Sequence, residues 1–395
     1  MNLPASIAGA PFLADPAFQR VIAAVEQDGD RARVVGGAVR NTLIGVPVDD
    51  VDIATTAPPE TVAARVTAAG LKAVPTGIAH GTITVVSSGR PFEVTTLRAD
   101  LETDGRHAVV AFTRDWVGDA RRRDFTMNAI YADADGGLHD PVGGIADALA
   151  GHVRFIGDPV ERIEEDYLRI LRFFRFHAGY GRGALDAVGL DASVRLQDGI
   201  DRLSRERIGA EMRKLVTAAG AVVALTVMDE TSILARILPG GGAVGRFSRV
   251  VGLAERCERT LGLEARLAAL AVERQRLAEA LRLSGRENKL IEAIARWAEE
   301  IAARMDETTV RFAVVREGNE VAFAALILAA VHRGEEPTMD LIRLAWDFKP
   351  PRSPVTAARL MVEGYVPGPL LGAELRRREA AWIAAGCPVD PFGGD

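Results

Sequence analysis

Asp50 and Asp52 stand two apart in Val48-Asp49-Asp50-Val51-Asp52-Ile53. The β-branched neighbours predict a strand, and period two puts both carboxylates on one face. Two like charges on one face either stay in water or share a cation. Mg²⁺ fits such a pair, because it binds through one or two carboxylates plus substrate phosphates. Two such ions can activate an attacking hydroxyl and stabilise a leaving pyrophosphate. An exposed edge strand can also carry Asp-x-Asp, so the surrounding residues must decide. Glu93, in the β-type run Phe92-Glu93-Val94-Thr95-Thr96, would add a third carboxylate if that strand lies beside the first.

Arg33 to Arg40 reads as strand, tight glycine turn at Gly36-Gly37 and helix start, with Gly45 ending the helix. A helix N-terminus offers free N–H groups to an anion, and Arg40 would lie in the first turn near it. A second cluster, Arg121-Arg122-Arg123-Asp124-Phe125-Thr126-Met127-Asn128-Ala129, joins a basic triplet to an aspartate. It can clamp phosphate and sugar, with Arg123 presenting a two-pronged guanidinium.

The third cluster runs from Glu164 to Phe176 and reads as one helix. Ile163, Ile170, Leu171 and Phe174 make its apolar stripe; Asp166, Arg169, Arg172 and Arg175 recur every three residues on another side. An ordinary surface helix with ion pairs has this pattern too. A base-reading role explains more. Cytosine and adenine both present an amino donor beside a ring-nitrogen acceptor, which an Asp acceptor and an Arg donor complement. Uracil and guanine invert that order and would leave buried polar groups unpaired, at about 1–3 kcal/mol each.

These residues need a scaffold. Asp15-Pro16 caps a helix carrying Phe18, Val21, Ile22 and Val25 on one face. From Arg33 to about Tyr131 short β-branched runs alternate with Gly, Pro and Asp, with a hairpin turn at Ser87-Ser88-Gly89-Arg90. Beyond Asp158-Pro159 helical periodicity dominates. The expected fold is α+β: a mixed or antiparallel-sheet head of residues 1–145, a helical neck of 146–215 and a helical body and tail of 216–395.

Composition sets outer limits. The 395 residues are 48% hydrophobic and 26% charged, which excludes collagen-like, disulfide-scaffold and wholly disordered chains. A net charge of −6 argues against a uniformly basic nucleic-acid binder. Only four lysines occur (Lys72, Lys214, Lys289, Lys349), so positive charge is nearly all arginine, whose planar fork suits phosphates and base edges. Cys257 and Cys387 form neither a zinc nor a disulfide pattern. The longest apolar run, Val321 to Val331, is 11 residues, too short for a span of about 20. With no evident signal peptide, the cytoplasm is the expected compartment.

Gly36-Gly37-Ala38-Val39-Arg40 followed by Asp50-Val51-Asp52-Ile53-Ala54-Thr55 resembles the opening signature of the class II tRNA nucleotidyltransferase and bacterial poly(A) polymerase family. The resemblance continues through Arg123-Asp124-Phe125-Thr126-Met127-Asn128-Ala129, Asp140-Pro141-Val142-Gly143-Gly144 and Glu165-Asp166-Tyr167-Leu168-Arg169-Ile170-Leu171-Arg172-Phe173-Phe174-Arg175. It covers roughly residues 30–215 and implies a polymerase β-like nucleotidyltransferase head. By this resemblance Asp50 and Asp52 bind Mg²⁺ and are catalytic; Gly37, Arg40 and Arg123 contact the nucleotide triphosphate; Asp124 and Asn128 order the pocket. Asp166 and Arg169 select CTP and ATP, and Arg172 and Arg175 support them. The implied reaction is template-free addition of C, C and A to the 3′ end of tRNA, with no membrane involved.

Rivals are a poly(A) polymerase or a CC-adding enzyme of the same family, and a non-catalytic RNA-binding protein on a dead head. Polymerase members carry a basic motif after the Asp-x-Asp, whereas Pro75 to Gly81 here is not basic. Leu101 to Asp119 is long enough for the mobile loop that full CCA addition uses. The family usually has Asp where this chain has Asn41. His139-Asp140 resembles part of the head-to-neck joint rather than a phosphohydrolase site.

Overall fold

The computed structural model describes residues 3–78, 81–102 and 109–389. They divide into two compact units, residues 1–207 with 218–224, and residues 208–217 with 225–395. The head as read from the sequence falls in the first unit, with residues 146–207 of the expected neck; residues 208–215 of that neck fall in the second.

The first unit is built on a seven-stranded mixed sheet, in the order β3-β4-β5-β2-β1-β8-β9. The strands are β1 (Ala32–Val35), β2 (Asp52–Thr55), β3 (Lys72–Gly77), β4 (Thr82–Ser87), β5 (Arg90–Thr96), β8 (Tyr131–Ala132) and β9 (Leu138–His139). β6 (Arg98–Glu102) and β7 (Val109–Phe112) pair separately. Among the described residues only β2 and β5 run parallel. The β4–β5 turn is the expected hairpin: Ser88 and Gly89 both have positive φ, 52° and 76°, as a two-residue turn matching strand twist requires. Residues 103–108 and 79–80 lie outside the described residues, so the middle of the expected loop between Leu101 and Asp119 is not described; its later part forms β7 and the start of α4 (Trp116–Arg121).

α1 (Pro16–Val25) and α3 (Pro59–Ala68) pack against each other and the sheet. The Asp15 carboxylate caps α1 by accepting from Ala17 N–H at 2.8 Å, and Phe18, Val21 and Val25 are fully buried. α2 (Gly37–Ile44) follows β1 and packs on α5 (Gly144–Ala150). Asp140 accepts from Gly144 and Ile145 N–H at 2.7 and 2.9 Å, which explains the Asp-Pro-x-x-Gly segment as a helix start. A Cβ on Gly144 would sit 2.0 Å from the Thr126 carbonyl oxygen, so only glycine lets α5 close on that turn.

The long helix expected over residues 164–176 is two helices. α6 (Pro159–Glu165) ends and α7 (Leu168–Tyr180) begins after an extended Asp166, φ −158° and ψ 105°. The Asp166 side chain accepts from Leu168 N–H at 3.1 Å, competing with helix continuation as a local capping group does. The apolar stripe holds across the break: Ile163, Ile170, Leu171 and Phe174 are fully buried. Phe125 meets Phe173 and Phe176 of α7, and Phe155 meets Phe173, at centroid distances of 5.1–6.4 Å, joining head to neck within this unit.

The second unit is helical, and its most apolar segment, α17 (Asn319–Arg333), packs on α15 (Gly285–Ala303). No helix of the described residues is long and apolar enough to cross a membrane.

Candidate active site

β2 starts at Asp52, so Asp50 lies just before the strand rather than on its face, a correction to the expected two-on-one-strand arrangement. The carboxylates still converge. Parallel pairing sets Asp52 directly opposite Glu93. Loss of surrounding water, then Glu93 and then Asp50, push the Asp52 carboxyl above its ordinary range, with Arg123 opposing. Three acids and one arginine thus share one end of a parallel strand pair. Among the described residues no group of three His, Cys, Asp or Glu side chains is placed to hold a metal ion by itself. The oxygen-only donors nevertheless fit a hard divalent cation that completes its shell with substrate phosphates.

Gly36, φ 71°, turns β1 into α2; a Cβ there would touch the Asn128 carbonyl oxygen at 3.4 Å. Gly37 opens α2 as expected. Arg40 is not presented to solvent at that helix start: it is 5% exposed. Its guanidinium donates to Asn128 Oδ1 and to Asn41 Oδ1 and lies over the Tyr180 ring, 3.9 Å from the centroid. Burial lowers its pKa first, and the Arg175 charge adds to that. Asn41 also donates to the Pro47 carbonyl at 2.8 Å, tying α2 to the segment that leads to Asp50. An aspartate would lack that donor.

Asn128 donates to Asp124 Oδ1 at 3.0 Å, and the other Asp124 oxygen accepts twice from Arg172. A continuous chain therefore runs Arg172–Asp124–Asn128–Arg40–Asn41. Burial alone would raise the Asp124 pKa; Arg172, Asn128 and the Phe125 N–H more than offset it and hold it low. Arg175 lies over Phe176, 4.2 Å from the centroid.

Sequence reasoning missed Asp119. It is 1% exposed and holds both Arg122 and Arg123 in ion pairs, at 2.6 and 3.1 Å, while accepting from Tyr131 Oη at 2.8 Å. Its i,i+4 spacing to Arg123 was the available signal. The Arg123 fork is thus fixed by Asp119 on one side while its charge reaches Asp52.

Asp166 and Arg169 start one turn apart, with Arg169 N–H on the Asp166 carbonyl at 3.0 Å. Their side-chain heads have separate partners: Arg169 pairs with Glu165, and Asp166 accepts from Arg207 at 2.6 Å. Arg207 is a second residue the sequence did not single out. His139, beside Asp140, is engaged with Asp133 at 2.6 Å.

Residues 32–154 match the family described as the poly A polymerase head domain, and residues 190–243 match a probable RNA and SrmB-binding site of polymerase A. A CCA tRNA nucleotidyltransferase 1, mitochondrial, of Danio rerio is 34% identical over 362 residues, 89% of this chain and 83% of that protein. A CCA-adding enzyme of Geobacillus stearothermophilus is 40% identical over 230 residues, 57% of this chain and 55% of that protein. The crystal structure of the Bacillus stearothermophilus CCA-adding enzyme in complex with CTP superposes with a TM-score of 0.73 at 30% identity, covering 94% of both chains. The Thermotoga maritima CCA-adding enzyme complexed with tRNA, at 17% identity and TM-score 0.67, shares the fold over 100% of this chain and 97% of that one. With the length and identity of the first match and the site assembled as above, the chain belongs to the CCA tRNA nucleotidyltransferase family.

Proposed function

We propose that this protein adds C, C and A to the 3′ end of tRNA from CTP and ATP, without a nucleic-acid template, releasing pyrophosphate. The observation that carries it is Asp52 in register with Glu93, with Asp50 and Arg123 close enough to shift its titration in opposite directions. RNA binding alone needs no such convergence of acids.

Asp50 and Asp52 are the residues that would hold Mg²⁺, with Glu93 beside them. When bound, it supplies neutralisation of the triphosphate and activation of the tRNA 3′-hydroxyl. The 3′-hydroxyl attacks the α-phosphate and pyrophosphate leaves; the chain contributes position and fixed charge. Arg123, immobilised by Asp119, faces the developing phosphate charge. Gly37 and Arg40 shape the turn beside the triphosphate, and Arg40 acts through Asn128 and Asp124. Arg172 and Arg175 keep α7 against the head. Asp166, oriented by Arg207, and Arg169 read the incoming base edge. We assign the reaction to the cytoplasm; cell fractionation that recovers the full chain in an organelle pellet overturns that assignment.

The test supplies tRNA lacking its 3′ end with CTP alone, ATP alone and both, and sizes the product. Three added nucleotides requiring both substrates support the proposal. An A-tract identifies a poly(A) polymerase, two nucleotides a CC-adding enzyme, and no addition with retained RNA binding a non-catalytic protein.

A further inference from the structure

Arg40 is buried, yet the side chains that its guanidinium bonds are neutral. Nε and Nη2 donate to Asn41 Oδ1 at 3.1 and 2.9 Å, and Nη1 donates to Asn128 Oδ1. The fork lies over the Tyr180 and Phe176 rings, 3.9 and 5.3 Å from their centroids. A buried guanidinium ordinarily takes a carboxylate, because a charge out of water is costly unless it is paired. Asp124 favours the Arg40 charge from a distance, but it is already committed to Arg172, and the Arg175 charge opposes it.

Asn41 occupies the place where an acid would neutralise that charge. Both halves of its amide are used: Oδ1 accepts twice from Arg40, and Nδ2 donates to the Pro47 carbonyl at 2.8 Å. A guanidinium only donates and a carbonyl only accepts, so one orientation of the amide serves both. The charge so held lies beside the glycine turn: a Cβ on Gly37 would sit 3.9 Å from Arg40 Nη2. Gly37 opens α2, and no side chain caps the first N–H groups of that helix. Their partial positive charge adds to that of Arg40 at the same turn.

We propose that Asn41 is a positioning residue that holds Arg40 in place without neutralising it, so that the guanidinium charge stays available to attract the triphosphate of the incoming nucleotide. The Asp that is usual in the family at this place would pair with Arg40 and cancel much of that field. A bound phosphate supplies the anion that the fold withholds from Arg40. That this anion is a nucleotide triphosphate rests on the proposed function.

The experiment uses the full chain in magnesium-containing buffer. Dissociation constants for CTP, CMP and inorganic tripolyphosphate are measured for wild type, Asn41→Asp and Asn41→Ala, alongside melting temperature. Asn41→Asp is expected to weaken CTP and tripolyphosphate several-fold and CMP much less, because the loss scales with phosphate charge. Its melting temperature should be equal to wild type or higher, since Arg40 gains a counter-ion. Asn41→Ala adds no charge; it should melt lower, having lost both hydrogen bonds, yet lose less triphosphate affinity than Asn41→Asp. Wild-type CTP affinity in Asn41→Asp overturns the inference. So does an equal loss in both variants that is as large for CMP as for CTP, which would reduce residue 41 to a structural tie to Pro47. If wild type binds tripolyphosphate but not CTP, the functional proposal falls, while the difference between the two variants on tripolyphosphate still decides whether Asn41 preserves the Arg40 charge.

Discussion

The arginines of the two units are held in different ways. In the first unit, Arg123 and Arg172 are 22% and 30% exposed, and their partners Asp119 and Asp124 only 1% and 10%. Arg40 is buried against two aromatic rings. In the second unit many arginines pair with exposed acids on their own or a neighbouring helix, as Arg311 with Glu307, Arg276 with Glu273 and Arg274 with Glu299. A buried carboxylate fixes a guanidinium in place before any ligand arrives, which is what charge stabilisation in a transition state needs. A solvated partner mainly adds solubility and contributes little to stability. In these pairs the same residue type is machinery in one region and surface in the other, and the burial of its partner separates the two.

The largest expected effect comes from the acid end of that machinery. Asp52→Ala should reduce nucleotide addition by at least roughly 10²–10³-fold, the loss that follows removal of one preorganised electrostatic group. Its dissociation constant for tRNA should stay measurable; full activity in this variant overturns the assignment. Next is the buried pair. Asp124→Ala leaves the Arg172 charge facing an empty site and should cost about 3–5 kcal/mol in chemical denaturation. Asp124→Ala with Arg172→Met should recover part of that loss. If Asp124→Ala costs no more than an exposed pair, the contrast between the units fails. Smaller again is base choice: Asp166→Ala should narrow discrimination between CTP and UTP by about 1–3 kcal/mol, read as the ratio of kcat/KM values. An unchanged ratio removes Asp166 from base reading.

Much of this was legible in the sequence because it rests on local chemistry. The Gly36-Gly37 turn, the Ser88-Gly89 hairpin and the proline-led helix starts follow from backbone preference, and the structure has each of them. The apolar stripe of α7 followed from period. Three things were not legible. Asp166 interrupts a helix whose hydrophobic period continues unbroken, so periodicity ran through the break. The sharing of Asp119 between Arg122 and Arg123 looks like surface pairing until the 1% exposure of Asp119 is known. The neighbour of Glu93 depended on strand order, and β2 meets β5 only because β3 and β4 lie outside them in the sheet. Pairings decided by topology leave no mark on spacing along the chain.

The smallest effects test whether ties to the backbone, rather than pairing itself, set the energetic value of a charge. Glu287 and Glu374 are both lowered to about 2, chiefly by hydrogen bonds from arginine. Glu287 accepts from Arg213 at 2.9 Å and from Ser284 N–H at 2.6 Å, as part of the capping box of α15, and Arg213 also donates to the carbonyls of Leu281 and Arg282. A depressed carboxylate stabilises the fold above its unfolded pKa, and that contribution is lost as pH falls toward the folded value. Glu287→Gln should therefore destabilise by about 1–2 kcal/mol at pH 7. The gap from wild type should close as pH drops from 4.5 toward 2. Glu374 pairs with Arg377, itself 69% exposed, and with Arg378 on the same face of α20 (Pro369–Ala384). Water and salt compete for that pair, and holding two long side chains in one geometry offsets the attraction. Glu374→Gln should leave the melting midpoint unmoved at pH 7 and at pH 3. A loss equal to that of Glu287→Gln would mean that pairing alone, without ties to the backbone, carries the stabilisation.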